Sequence, residues 1–267
     1  MFSTASFISE AGMKIYVCVK HVPDSAATIS VTDEAEIDER VTFIINPYDE
    51  HALTEARRIR ENFDTSEIIA VCLGKEPARE CLRSAMAMGA DRSILIRTEK
   101  RHDAVKTARL IKAAIDEDGG ADLIFTGREA IDSNGMQTMF RLGALYGYPV
   151  MTNIVEADIT KKAARVVTEG DRGARLAYEV SLPCVLGAGK GLNKPKYPTM
   201  PDIIKSKKKE IKEKSVADFT IGEPPAAMKV KKLTPYTENR NPEHIVGDME
   251  GTVDKLIDVL KNKAKVI

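Results

Sequence analysis

No segment of this 267-residue chain stays apolar for the roughly 20 residues that a membrane-spanning helix needs, and no apolar h-region follows a basic stretch at its start. A soluble, cytoplasmic protein of bacterial or archaeal type, with no targeting peptide and no transmembrane segment, is the expectation. Charge of one sign is lacking too. Forty Lys and Arg stand against 40 Asp and Glu, so no overall field draws the chain to nucleic acid or to an anionic membrane. Cysteine is sparse and scattered: Cys18, Cys72, Cys81 and Cys184 show neither CxxC nor metal-ligand spacing, and three of them lie inside apolar runs. Buried reduced thiols are expected, with no disulfide and no metal site. The chain also lacks a Walker lysine and a GxGxxG fingerprint, and His21 and His51 have no Ser or Cys partner at a spacing that would make a catalytic triad. No internal repeat is present.

What the chain does contain is alternation. Apolar runs at 14–20, 41–45, 67–73, 93–96 and 123–125 read as strands, and between them 47–62, 76–88 and 103–115 carry apolar residues at helical spacing. That order predicts an α/β fold: a mostly parallel, twisted sheet with helices on both faces, whose ligands sit beyond the carboxyl ends of the strands. The polar stretch 25–40 reads as a hairpin-like excursion. From 153 to 181 polar and apolar residues alternate in three runs broken by turn residues, which predicts an antiparallel meander. After 187 the chain is rich in Pro and Lys and ends in an amphipathic helix near 248–260, with Val253, Leu256, Ile257 and Leu260 on one face. Three regions are thus expected: a leader at 1–12, a nucleotide-binding α/β domain at 13–187, and an extended arm at 188–267.

The most telling stretch is 121–148, where an apolar run ends in a Gly-containing turn and opens a helix. Such a turn leaves backbone N–H groups unpaired with the positive end of the helix dipole behind them, a setting that attracts phosphate. Arg128, Asp132, Ser133, Asn134, Gln137 and Thr138 crowd this turn. They suit a phosphate and ribose, or else Asp132 or Ser133 simply caps the next helix. Asn46-Pro47-Tyr48-Asp49 offers an amide to a base and a ring to a flat cofactor, or else a proline-initiated helix. Lys205 and the lysines that follow it to 209 lack interleaved aromatics, and read as a solvated helix end rather than a nucleic-acid contact. Met200, framed by prolines, is either a local plug or a recognition knob.

Taken in order, VCVKHVPD, NPYDEHALTEA, CLRSAMAMGADRSILI, TGREAIDSNGMQT and LNKPKYPTMPDIIKSKKKEI resemble the β subunit of the electron transfer flavoprotein family, over nearly all of 13–267. The resemblance implies an adenine-nucleotide α-hydrolase-like fold and a heterodimer with a flavin-bearing α subunit. It also implies an electron carrier, not an enzyme, that takes electrons from a flavin dehydrogenase such as an acyl-CoA dehydrogenase and passes them to a further acceptor. FAD would be held mainly by the α subunit and AMP by this chain. The cofactor-binding positions it implies are Val19, Asn46, Tyr48, Asp49, Leu73, Gly127, Arg128, Asp132, Ser133, Asn134, Gln137 and Thr138, with Tyr48 reaching toward the partner's flavin. It implies Leu192, Tyr197, Met200 and Lys205 for partner recognition, Met200 as the apolar anchor, and a terminal arm that docks on the α subunit.

The chain departs from the family at the nucleotide motif. The common AMP-binding form is D-D-D-x-N-Q-T-G-Q, and electron-bifurcating relatives that use NADH and a second FAD carry D-G-D-T-A-Q-V-G-P. Here the segment is Asp132-Ser133-Asn134-Gly135-Met136-Gln137-Thr138-Met139-Phe140, so AMP and a second FAD both stand as occupants. Ser25 replaces an aromatic found near the flavin in some relatives. From a different class, a nucleotide-hydrolysing α/β enzyme would need a Gly-rich phosphate loop after the first strand, and His21-Val22-Pro23-Asp24 does not supply it.

Overall fold

The computed structural model describes residues 12–33, 36–63, 66–222, 228–235 and 242–267, so all but the last residue of the expected leader lies outside the described residues. Strand β1 (Lys14–Cys18) is buried along nearly its whole length, as a strand covered on both faces must be. Short strands β2 (His21–Pro23), β3 (Val31–Asp33), β4 (Glu36–Ile37) and β5 (Phe43–Ile45) follow, with β2 paired antiparallel to β5 and β3 to β4, which realises the expected excursion as two small ribbons. Helix α1 (Pro47–Asn62) opens with a proline in its first turn, where the missing N–H has no helical partner to lose. Next come β6 (Glu67–Gly74), α2 (Ala78–Met88), β7 (Arg92–Arg97) and α3 (Ala104–Glu117), which is capped by the Asp103 carboxylate accepting from Lys106 N–H. β8 (Leu123–Gly127) leads through a long turn into α4 (Thr138–Tyr146). The meander is β9 (Val150–Ile159), β10 (Ala163–Glu169) and β11 (Arg175–Ser181), followed by β12 (Cys184–Ala188), α5 (Met200–Ser206), β13 (Ile211–Ser215) and α6 (Met249–Asp258).

Nine strands form one sheet in the order β11-β10-β9-β12-β8-β1-β6-β7-β13. All neighbours from β9 through β13 are parallel, and only β9, β10 and β11 are joined antiparallel. The meander is therefore not a separate layer: β9 pairs with β12 on one side and β10 on the other. One face of the sheet buries Ile15, Val17, Leu123 and Phe125 with Leu53, Ile59 and Leu82 of α1 and α2. The opposite face buries Tyr16, Cys18 and Ile124 with Leu110, Ile111 and Leu142 of α3 and α4. All four cysteines are buried and free.

Chain order runs outward from β1 to β6 and β7, then returns to place β8 on the other side of β1. The strand order thus reverses between β1 and β8, the place beyond whose carboxyl ends open α/β sheets bind their ligands.

Two features differ from the sequence expectation. β13 arises from a charged stretch, IKEKS, that carries almost no apolar signal; it pairs in parallel with β7 at the sheet edge, where charged side chains stay in solvent. Lys209 is not a solvated end like its neighbours: its Nζ donates to Met86 O (3.0 Å) and Ala90 O (2.6 Å) at the end of α2, while Arg83 donates back to Ser206 O (2.6 Å) and Lys209 O (2.7 Å). Carbonyls left unpaired at a helix C-terminus supply the reason. Among the described residues no helix is long and apolar enough to cross a membrane.

Candidate functional site

The switch point is built around Asp49, in the first turn of α1 and 4% exposed. Its carboxylate accepts the backbone N–H of Lys20 (2.8 Å) just beyond β1, the backbone N–H of Gly127 (2.9 Å) at the end of β8, and Asn46 Nδ2 (2.9 Å). One side chain thereby joins both strands of the switch point to the start of α1. Burial, the largest influence, pushes the Asp49 carboxyl up to about 7; the three hydrogen bonds and the Lys20 charge pull the other way. Glycine is required at 127 because a Cβ there would stand 2.3 Å from Asp49 Oδ1 and 2.7 Å from Tyr48 Cβ.

Asn46, 1% exposed, extends the same joint. Its Nδ2 also donates to Glu129 O (2.9 Å), and its Oδ1 accepts from Ile131 N–H (3.1 Å). Both amide hydrogens are donated within the chain, and the side chain ties the turn after β8 to the start of α1.

That turn, 128–137, includes left-handed backbone at Asn134 (φ 46°) and Met136 (φ 48°) on either side of Gly135. Helix α4 begins only at Thr138, with Gln137 as N-cap and no side chain capping it. Asp132 and Ser133 are therefore not its caps. Instead Lys20 Nζ lies 2.7 Å from each Asp132 carboxylate oxygen and 3.4 Å from Ser133 Oγ. Thr126, 6% exposed, has a buried hydroxyl with no hydrogen-bond partner among the described residues. The Arg128 guanidinium sits 5.4 Å from the centre of the Tyr48 ring and donates to Glu129 Oε1 (2.5 Å) and Asn153 Oδ1 (3.3 Å). Gln137 Oε1 accepts from Arg141 Nη2 (2.7 Å). At the end of β1, burial first and Asp49 second push the Cys18 thiol well above its ordinary range, so it stays protonated.

The structure thus gathers Val19, Asn46, Tyr48, Asp49, Gly127, Arg128, Asp132 and Ser133 at the ends of β1 and β8, with Asn134, Gln137 and Thr138 leading into α4. Val19 contributes backbone only, its side chain being 5% exposed and its N–H donating to Val71 O (2.8 Å). Leu73 is half-buried near the end of β6, the strand beside β1. Sequence reasoning passed over Lys20 and marked Thr126 only as a strand end. The one signal for Lys20 was its place at the end of the first apolar strand, and for Thr126 a lone hydroxyl within an apolar run.

On the arm, a capping box in which Thr199 and Asp202 satisfy each other starts α5 and holds Met200 outward, 69% exposed, beside Tyr197 at 71%. Lys205 is exposed on the same helix and lines a cleft of about 120 Å³ with Arg57, Arg60, Asp202 and Lys209. Leu192 differs: it is half-buried, packs against the core and lines a groove of about 770 Å³ with Arg58, Val155, Ala157 and Tyr178. The apolar face of α6 has no cover among the described residues, with Val253, Leu256 and Ile257 each close to half exposed.

The fold defines the class, an open doubly wound α/β protein with a cluster of polar residues at its switch point. Residues 35–219 match the family model of the electron transfer flavoprotein domain. The chain is 36% identical over 259 residues to the mitochondrial electron transfer flavoprotein subunit beta of Arabidopsis thaliana, 32% over 261 residues to the subunit beta of Bacillus subtilis, and 30% over 262 residues to that of Mus musculus. Each match spans 96% of this chain and 100% of the relative. The chain belongs to the electron transfer flavoprotein family, as a β-subunit-type electron carrier and not an enzyme.

Proposed function

We propose that this chain pairs with a flavin-bearing α subunit, takes electrons from a flavin dehydrogenase for delivery to a further acceptor, and holds AMP at the switch point between β1 and β8. The observation that carries the nucleotide assignment is the helix N-terminus left without a side-chain cap at the end of the turn that follows β8, the strand that also holds the unpartnered Thr126 hydroxyl. The first-turn N–H groups of α4 and its dipole suit a phosphate, and the Asp49–Asn46 joint fixes the turn that leads to them. A nucleoside monophosphate fits this donor set.

When bound by the heterodimer, FAD supplies reversible electron uptake. This chain shapes its surroundings: Tyr48 and Arg128 stack at the switch point and offer a ring and a cation to a flat cofactor. Met200 and Tyr197 form the apolar patch that meets the dehydrogenase, and Lys205 on the same helix adds a positive charge beside it. The exposed stripe of α6 docks on the α subunit, where its apolar side chains gain cover.

The test is to purify the heterodimer, denature it and identify what is released. One FAD and one AMP per heterodimer is the expected result. Two FAD and no AMP would assign the bifurcating form instead, and ATP turnover by the isolated chain would overturn the carrier reading.

A further inference from the structure

We propose that Lys20 is the cation that recognises the nucleotide's phosphate, and that Asp132 occupies this cation while the site is empty. The inference rests on the nucleotide reading above and adds to it a residue and an exchange.

Lys20 leaves β1 at the switch point with its root fixed, since its backbone N–H is held by the buried Asp49 carboxylate at 2.8 Å. Only its far end is free to change partners. Cys18 pairs in register with Thr126, so Lys20 continues the strand two residues past the level of the unpartnered Thr126 hydroxyl. The Lys20 ammonium reaches Asp132 and Ser133 in the turn that leads into α4, a nine-residue helix with no side-chain cap.

A phosphate seated there is held more strongly when a cation joins the N–H donors. Two arginines flank the same turn: Arg128 donates from both terminal nitrogens, to the Glu129 carboxylate and to Asn153, and Arg141 donates to the neutral Gln137 from within α4. The Lys20 ammonium instead faces Asp132 at 2.7 Å, across a pair whose side chains are 42% and 19% exposed. An ion pair this exposed adds little stability and is easily exchanged. Asp132 therefore stands where the ligand's anion will stand, as an internal competitor that keeps Lys20 oriented and the turn after β8 closed onto β1. On binding, the ammonium passes from the carboxylate to the phosphate.

The experiment uses the flavin-loaded heterodimer freed of bound nucleotide, titrated calorimetrically with AMP and, separately, with adenosine, which lacks the phosphate. Lys20→Met is expected to weaken AMP by ~10-fold or more while leaving adenosine unchanged, and Lys20→Arg is expected to retain most of the AMP affinity. Asp132→Asn is expected to strengthen AMP by roughly 2- to 5-fold, because the competitor is gone. An unchanged preference for AMP over adenosine in Lys20→Met, or weaker AMP binding in Asp132→Asn, overturns this proposal and leaves the nucleotide reading standing. Failure of the wild-type heterodimer to bind either AMP or adenosine removes the AMP reading, and this proposal with it.

Discussion

Asp49 and Gly127 meet at 2.9 Å although 78 residues separate them in the chain. The carboxylate from the first turn of α1 takes the backbone N–H at the end of β8, and the same carboxylate takes the N–H of Lys20 after β1. This joint leaves no room for a side chain at 127. Gly127→Ala is therefore expected to lower the free energy of unfolding by ~2 kcal/mol or more, since neither the Asp49 oxygen nor the Tyr48 backbone can give way freely. Urea denaturation measures the first effect, and nucleotide content of the purified heterodimer the second, which should fall. Retention of both would show that the joint is more pliant than its distances imply.

Asp49 also sets a pH dependence. Its folded value of about 7 lies above its ordinary 3.8, so between those values the native state keeps a proton that the unfolded chain has released. Stability from this group is full below the ordinary value, falls as pH rises, and is gone once pH passes the folded value. Unfolding free energies measured in urea at intervals from pH 4 to 8 should show a downward slope that Asp49→Asn flattens. An equal slope in the two proteins would mean that Asp49 is ionised throughout.

Asn46→Ala removes two donated hydrogen bonds and one accepted one inside a nearly closed space. The Ile131 N–H and the Glu129 carbonyl, both on half-buried residues, lose their partner, at a cost of ~1 kcal/mol each. Hydrogen exchange at Ile131 should accelerate more than global unfolding explains, and the turn should release its nucleotide. Exchange that tracks global stability alone would contradict the assigned role.

Met200→Ala should do the opposite. With 69% of its surface in solvent, its loss should change stability by no more than about 0.5 kcal/mol. Electron transfer from the dehydrogenase, followed as flavin reduction in a stopped-flow experiment, should slow, while reduction by dithionite stays the same. Equal rates from the dehydrogenase in variant and wild type would remove the anchor role.

The alternation of strands and helices was readable because buried parallel strands are continuous apolar runs and the helices carry their own periodicity and stops. Pro47 marked the start of α1, and Gly89 the end of α2, by purely local chemistry. What stayed hidden was long-range. Asp49 near a helix N-terminus looks like a dipole partner, and nothing local tells that its acceptors serve residues 20 and 127. The bonds of Asn46 to Glu129 and Ile131 form only after β8 is in place, so nothing local announces them. β13 escaped because an edge strand buries little, so its sequence carries charge where a central strand would carry valine. Lys209 was masked by the lysines around it, and only the carbonyls of α2 set it apart.

The placement of β1 between β6 and β8 also has a consequence for how the chain acquires its fold. The strand that appears first in the sequence ends up in the middle of the sheet, and one of its neighbours lies over 100 residues downstream, as the bond from Lys14 N–H to Asp122 across 108 residues records. β1 and β6 can pair early, but the other side of β1 stays a bare apolar edge until residues 123–127 have been made. During synthesis, at ~5–20 residues per second, that edge is open for several seconds, the interval in which a chaperone has most to protect. The same late pairing completes the switch point, so the proposed nucleotide site is assembled only once β8 has joined β1.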